Sequence, residues 1–213
     1  MSWRVIGREL LLILLAMLDG CASKPRIELV SHAELSSTMT AVYEAVARGD
    51  EARYRRLVQL APGDTYSDAL TTTMFESIRL HQAVEARFPP SSRSTRPQAS
   101  LAAVDYRENA RPMVKAVEGW TFTVRGDRAT IDQLADQPSA PTLRRVDGRW
   151  VLVPTPWETP PDTATYRLLV EEERRLAAAL ASARKAVANG SAKSIEDANE
   201  VLRNSLAEPA TQP

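Results

Sequence analysis

Cysteine is almost missing from this chain. Of its 213 residues only Cys21 is a cysteine, and only His32 and His81 are histidines. One thiol forms no internal disulfide, and with two histidines it supplies too few soft ligands for a zinc site, so no metal or other cofactor is expected. Charge of one sign is missing too. Lys plus Arg and Asp plus Glu number 27 each, the formal net charge is zero, and nucleic acid, which calls for a basic excess or stripe, is not an expected partner. Past residue 20 no apolar run approaches the roughly 20 residues of a membrane-spanning helix. The phosphate loops Gly-x-x-x-x-Gly-Lys-Ser/Thr and Gly-x-Gly-x-x-Gly and the Gly-x-Ser-x-Gly elbow are absent, which removes the common nucleotide-binding and hydrolase signatures. What is there is an ordinary globular composition, 44% apolar and 25% charged, enough to bury a core without covalent help.

Residues 1–20 have the parts of a secretory signal: Arg4 and Arg8, then the apolar run Leu10 to Leu18, well short of a bilayer span. Leu18-Asp19-Gly20-Cys21 follows and resembles the lipobox of bacterial lipoproteins: an aliphatic residue, a small residue, Gly or Ala, then Cys. Asp19 departs from that pattern. The resemblance implies that the Cys21 thiol receives a diacylglyceryl group, that Gly20 lets a peptidase reach the preceding bond, and that the new amino group is acylated as well. Two or three acyl chains, palmitate among them, anchor stably where one is marginal. Residues 21–31 then form a tether. Ala22, rather than Asp, resembles outer-membrane sorting. The implied location is a bacterial membrane facing the periplasm, outer rather than inner.

Periodicity predicts an α+β body over 32–155. A helical stretch from Ala33 to Ala61 carries Leu35, Met39, Val42 and Val46 at three- and four-residue steps, interrupted by Gly49-Asp50. A helix over Thr65 to Phe88 places Tyr66, Leu70, Met74, Ile78, Val84 and Phe88 along one side. Pro89 to Pro97 reads as a loop, and Ser100 to Val117 is ambiguous because Pro112 argues for a break near Arg111. Alternation then takes over at Trp120, Phe122 and Val124. Gly126-Asp127 and Asp147-Gly148 set two turns, the second a strong hairpin signal, and four antiparallel strands are expected. Prolines mark a linker over 156–161. A helical hairpin over 162–207 follows, with Ser194 and Asp197 as a capping box and a heptad-like spacing suited to pairing with a second copy. Residues 208–213 are read as a disordered tail.

Helices followed by a curved antiparallel sheet, with Val46-Ala47-Arg48-Gly49-Asp50, Gly126-Asp127-Arg128-Ala129 and the closing hairpin Val146-Asp147-Gly148-Arg149-Trp150, resemble the NTF2-like superfamily, including its SnoaL-like members. The resemblance covers roughly Ser31 to Pro154. It implies N-terminal helices packed on the concave face of the sheet, forming a cone around an apolar pocket. The C-terminal hairpin is an addition that the superfamily does not require.

His81, on the same side as Met74 and Ile78, is the one histidine inside a predicted element. Met74, Ile78, His81, Trp120 and Trp150 are the candidate pocket residues. An isomerase or dehydratase of this superfamily would pair His81 with a carboxylate, Asp105 or Asp132. A histidine at the edge of a core is the plainer role. Arg53, Arg55 and Arg56, with Arg144, Arg145 and Arg149, offer an anionic-ligand or headgroup patch, or two solvated faces. Trp157 stands among prolines, suited to a partner or to pinning the linker. The expected function is a non-catalytic membrane lipoprotein binding a small apolar ligand or an envelope protein.

Overall fold

The computed structural model describes residues 32–89, 101–137, 140–154 and 163–207. The signal, Cys21, the tether, the linker with Trp157 and the tail from Glu208 lie outside the described residues.

Leu35, Met39, Val42 and Val46 form the buried side of the first helix, α1 (His32–Arg48). Gly49 ends it in the left-handed region at φ 71°. Its amide donates to Val46 O at 3.0 Å and that of Asp50 to Ala45 O at 2.8 Å, the paired bonds of a Schellman cap. Asp50 then accepts from Arg53 N at 2.9 Å and starts α2 (Glu51–Leu57). Asp64 caps α3 (Thr65–Arg87) by accepting from Ser67 N at 3.0 Å.

The expected break near Arg111 does not occur. Helix α4 (Tyr106–Ala116), capped by Asp105, runs straight through Pro112. The proline costs about 3 kcal/mol through its missing N–H and its clash with the carbonyl one turn back. Packing offsets this: α4 lies against α1, and Ala110 is buried with Val46, Phe75 and Ile78. A short 3-10 turn, Val117–Gly119, leads into the sheet.

The four strands are β1 (Phe122–Arg125), β2 (Arg128–Ile131), β3 (Thr142–Val146) and β4 (Arg149–Val153), antiparallel in the order β1-β2-β3-β4. Asp147 and Gly148 have φ of 50° and 77°, both positive, as a type I′ hairpin requires. Phe122, Ala129, Ile131, Leu143, Trp150 and Leu152 are buried on one face, where α1 and α2 meet β4. Val58 bridges to Leu152, and Gln59 N donates to Leu152 O at 2.8 Å, so the chain leaving α2 covers the free edge of β4.

Helices α5 (Thr163–Ala188) and α6 (Ile195–Ala207) complete the body. Asp197 N donates to Ser194 Oγ at 3.1 Å while Asp197 Oδ2 accepts from Lys193 N at 2.7 Å, anchoring the start of α6. The pair does not stand apart. Helix α5 packs along α3, and Leu80 and Val84 share one core with Leu180, Ala183, Val187, Ile195 and Leu202. The heptad-like side of α5 is thereby occupied within the chain. Helix α3 serves as the wall between this core and the one formed with α1 and α4.

Candidate functional site

A cleft of about 470 Å³ opens where α1, α2, α3 and α4 converge on β4. Its walls are Met39, Val42, Tyr43 and Val46 from α1, Tyr54 from α2, Met74 from α3, and Tyr106, Asn109, Ala110 and Met113 from α4. Pro141 and Leu152 close it on the sheet side. The volume lies within the range of about 300–1,000 Å³ usual for small-molecule sites. Three methionines give the wall a soft, adaptable lining.

Among the described residues no Asp, Glu, Lys, Arg or His lines the cleft. The polar side chains among the described lining residues are three phenols and one carboxamide. Tyr54 packs edge-on against Phe75 with ring centres 5.3 Å apart, and Tyr43 meets Trp120 edge-on at 6.0 Å. Burial pushes all three phenols above their ordinary value. The neighbouring Tyr54 adds to the shift at Tyr43 and Glu173 adds to it at Tyr106, while Thr71 and Arg55 partly oppose it at Tyr54. The phenols therefore stay protonated donors at neutral pH. The hydroxyls of Tyr43 and Tyr106 and the amide of Asn109 have no hydrogen-bond partner among the described residues.

The five sequence-selected residues do not gather here. Met74 lines the cleft, and Ile78, one turn along α3, is fully buried beneath it. Trp120 backs Tyr43 without lining the cleft. Trp150 lies on the inner face of β4, cross-strand from Arg145, with an Nε1 that has no hydrogen-bond partner among the described residues.

His81 also lies outside the lining. Its Nε2 donates to Ala103 O at 2.9 Å, which fixes the proton there, and its Nδ1 faces Asp105 Oδ2 at 3.8 Å, beyond hydrogen-bond reach. Asp105 is gripped by Arg107, with Nε to Oδ1 at 3.0 Å and Nη2 to Oδ2 at 2.8 Å, and the same guanidinium holds Glu85 at 3.1 and 2.6 Å. Burial works to raise the Asp105 carboxyl, but the Arg107 hydrogen bonds and the His81 charge outweigh it and leave the group below its usual range. Asp132 instead accepts from Thr123 on the sheet at 2.8 Å. A general base needs a free lone pair aimed at substrate, and His81 presents none to the cleft. His32 is exposed, its ring 6.0 Å from that of Phe122.

The arginines separate. Arg53 reaches Glu44 at 3.2 Å, and Arg55 bridges Glu51 and Asp68 at 2.7 and 2.6 Å. Arg144 and Arg149 lie on the exposed face of the sheet, whereas Arg145 points to the inner side. Among the described residues no three His, Cys, Asp or Glu side chains gather to hold a metal ion, and no helix is long and apolar enough to cross a membrane.

Most of the cleft escaped the sequence reading. Tyr106, Asn109, Ala110 and Met113 recur at helical spacing, but they lie in the stretch where Pro112 hides the helix. Tyr43 and Tyr54 belong to the helical stripes, with nothing local to mark them as pocket walls. No family model, curated protein or solved structure matches this chain.

Proposed function

We propose that this chain is an exported bacterial lipoprotein, held by lipid on Cys21, whose α+β body carries a small, neutral, apolar ligand in the cleft between α1–α4 and β4. The observation behind the binding reading is the cleft itself: apolar walls and, among the described residues, no charged lining side chain and no hydrogen-bond partner for two phenols and an amide. Such a surface favours a molecule with an apolar body and an uncharged oxygen. A carboxylate or phosphate would lose its hydration there without gaining a cation. The anchor reading rests on Leu18-Asp19-Gly20-Cys21 behind its apolar run. We read the body as an NTF2-like cone. The meander β1-β2-β3-β4, the buried inner face and the helices against it support that reading, and α5 and α6 extend it.

The test is a fluorescence titration with Nile red, a neutral apolar dye, followed by displacement with 1-dodecanol or dodecanoate. Expected are saturable dye binding, displacement by the alcohol at a concentration at least about tenfold lower than by the carboxylate, and dye binding at least about tenfold weaker in Met113→Trp, which fills the cleft. A Met113→Trp chain that melts like the parent and binds the dye equally would overturn the reading.

A further inference from the structure

The register of the sheet places arginines opposite arginines. Arg125 on β1 pairs with Arg128 on β2, and Arg128 pairs with Arg144 on β3, so one cross-strand row carries three guanidinium groups on adjacent strands. Arg149 on β4 lies at the same end of the sheet, opposite Val146. All four arginines are exposed, on the face opposite the buried Phe122, Ala129, Leu143 and Trp150. Like charges directly opposite each other destabilise a sheet. Nothing in the fold demands this arrangement, since threonine or valine would suit an exposed strand better.

The countercharge is thin. Asp127, in the β1–β2 turn, reaches Arg144 at 3.4 Å. Asp147 sits in the β3–β4 turn, and Asp132, which accepts from the neutral hydroxyl of Thr123, follows β2 at the end opposite Arg128. Arg125, Arg128 and Arg149 make no ion pair among the described residues. Three helical arginines differ, Arg55, Arg79 and Arg107, each of which bridges two carboxylates.

We propose that the outer face of the sheet, centred on Arg125, Arg128, Arg144 and Arg149, docks on the surface of a bilayer containing anionic lipid. The row supplies planar, bidentate donors suited to phosphate oxygens. Between and beside the arginines the same face carries threonine hydroxyls and the half-buried Val146, Val151 and Val153, a mixture suited to the headgroup boundary rather than to a polyanion in water. The described residues place no helix over this face. The membrane as occupant rests on the Cys21 anchor reading. Ten residues lie between Cys21 and His32, so the chain between them reaches about 40 Å at full extension, and His32 lies beside Phe122 of β1. A lipid on Cys21 would thus hold the sheet within reach of a bilayer, where weak contacts are multiplied by effective concentration.

The test uses full-length Cys21→Ser chains, which cannot carry the lipid, with and without Arg125→Thr and Arg128→Thr. Co-sedimentation with phosphatidylglycerol–phosphatidylcholine vesicles at low salt is expected to weaken by roughly fivefold per arginine removed, about 25-fold for the pair. Binding to pure phosphatidylcholine vesicles is expected not to change, and the double variant should melt no lower than its parent, because a like-charge contact has gone. Equal binding of both chains to anionic vesicles overturns the proposal. So does a double variant that loses binding to polyglutamate but not to anionic vesicles, which assigns the face to an acidic protein. Because neither chain bears lipid, the difference reads the arginine row alone. The anchor stands or falls separately, on whether wild-type and Cys21→Ser chains partition differently in cells.

Discussion

The hydroxyl of Thr73 donates to the backbone carbonyl of Glu173 at 2.9 Å, a bond that joins α3 to α5 across 100 residues of sequence. Thr73 is buried, and its neighbours on the same side of α3 include Ser77, whose hydroxyl reaches Val104 O at 2.6 Å. Replacing Thr73 with Val preserves shape and removes one interhelical bond without stranding the carbonyl, which keeps its helical partner. Thr73→Val is expected to lower stability by about 1 kcal/mol in urea unfolding, with an unchanged slope. No loss would mean that the seam is held by packing alone.

Two glycines with similar backbone angles should respond differently to alanine. Gly49 and Gly148 have φ of 71° and 77°, but a Cβ on Gly49 would stand 2.9 Å from Ile78 Cγ2 and 2.9 Å from Gln82 Nε2, while one on Gly148 meets nothing within 4 Å. Gly148→Ala carries only the left-handed backbone penalty of about 1–2 kcal/mol. Gly49→Ala adds a collision between the end of α1 and α3, and its midpoint in thermal unfolding is expected to fall further, by the equivalent of about 1 kcal/mol or more. Equal losses would show that the helices separate freely.

Asp105 makes part of the stability depend on acid. Its folded-state carboxyl lies below the ordinary value of 3.8, so its contribution is present in full above the ordinary carboxylate range and is lost as pH falls through the depressed folded value. Asp105→Asn keeps the cap on α4 while discarding the charge. The variant is expected to be less stable at neutral pH and to lose less stability than wild type on acidification below about pH 4, read by denaturant melts across that range.

Cys21→Ser is expected to move the protein from the membrane fraction to the soluble fraction of cells, with loss of labelling by an alkynyl fatty acid. Labelling that persists in the variant would remove lipidation of Cys21 from the proposal.

Where local physics decides, the sequence was a good guide. Asp147-Gly148 is one of the few pairs that accepts two positive φ angles, and the spacing of Leu35, Met39, Val42 and Val46 admits one helical face. The capping of α6 by Ser194 is equally local. Helix α3 shows the opposite case. Leu70, placed on its apolar side by sequence, is 39% exposed, whereas Thr71, Thr73 and Ser77 are buried. Their hydroxyls are satisfied by the carbonyls of Ser67, Glu173 and Val104, and two of those acceptors come from other segments that no periodicity reveals. Pro112 misled for a related reason: its local penalty is real, and packing against α1 outweighs it. The cleft draws its walls from four helices and the sheet, so it appears only once the chain has folded.

Because α3 belongs to two cores, the helices packed on either side of it are joined through one element. Unfolding α5 and α6 would bare Leu80 and Val84, and disordering α1 would bare Phe75 and Ile78 on the same helix. Filling the cleft therefore protects more than its own walls. Amide protons in α6, on the far side of α3, should exchange more slowly when the cleft is occupied, by the factor through which ligand shifts the global equilibrium.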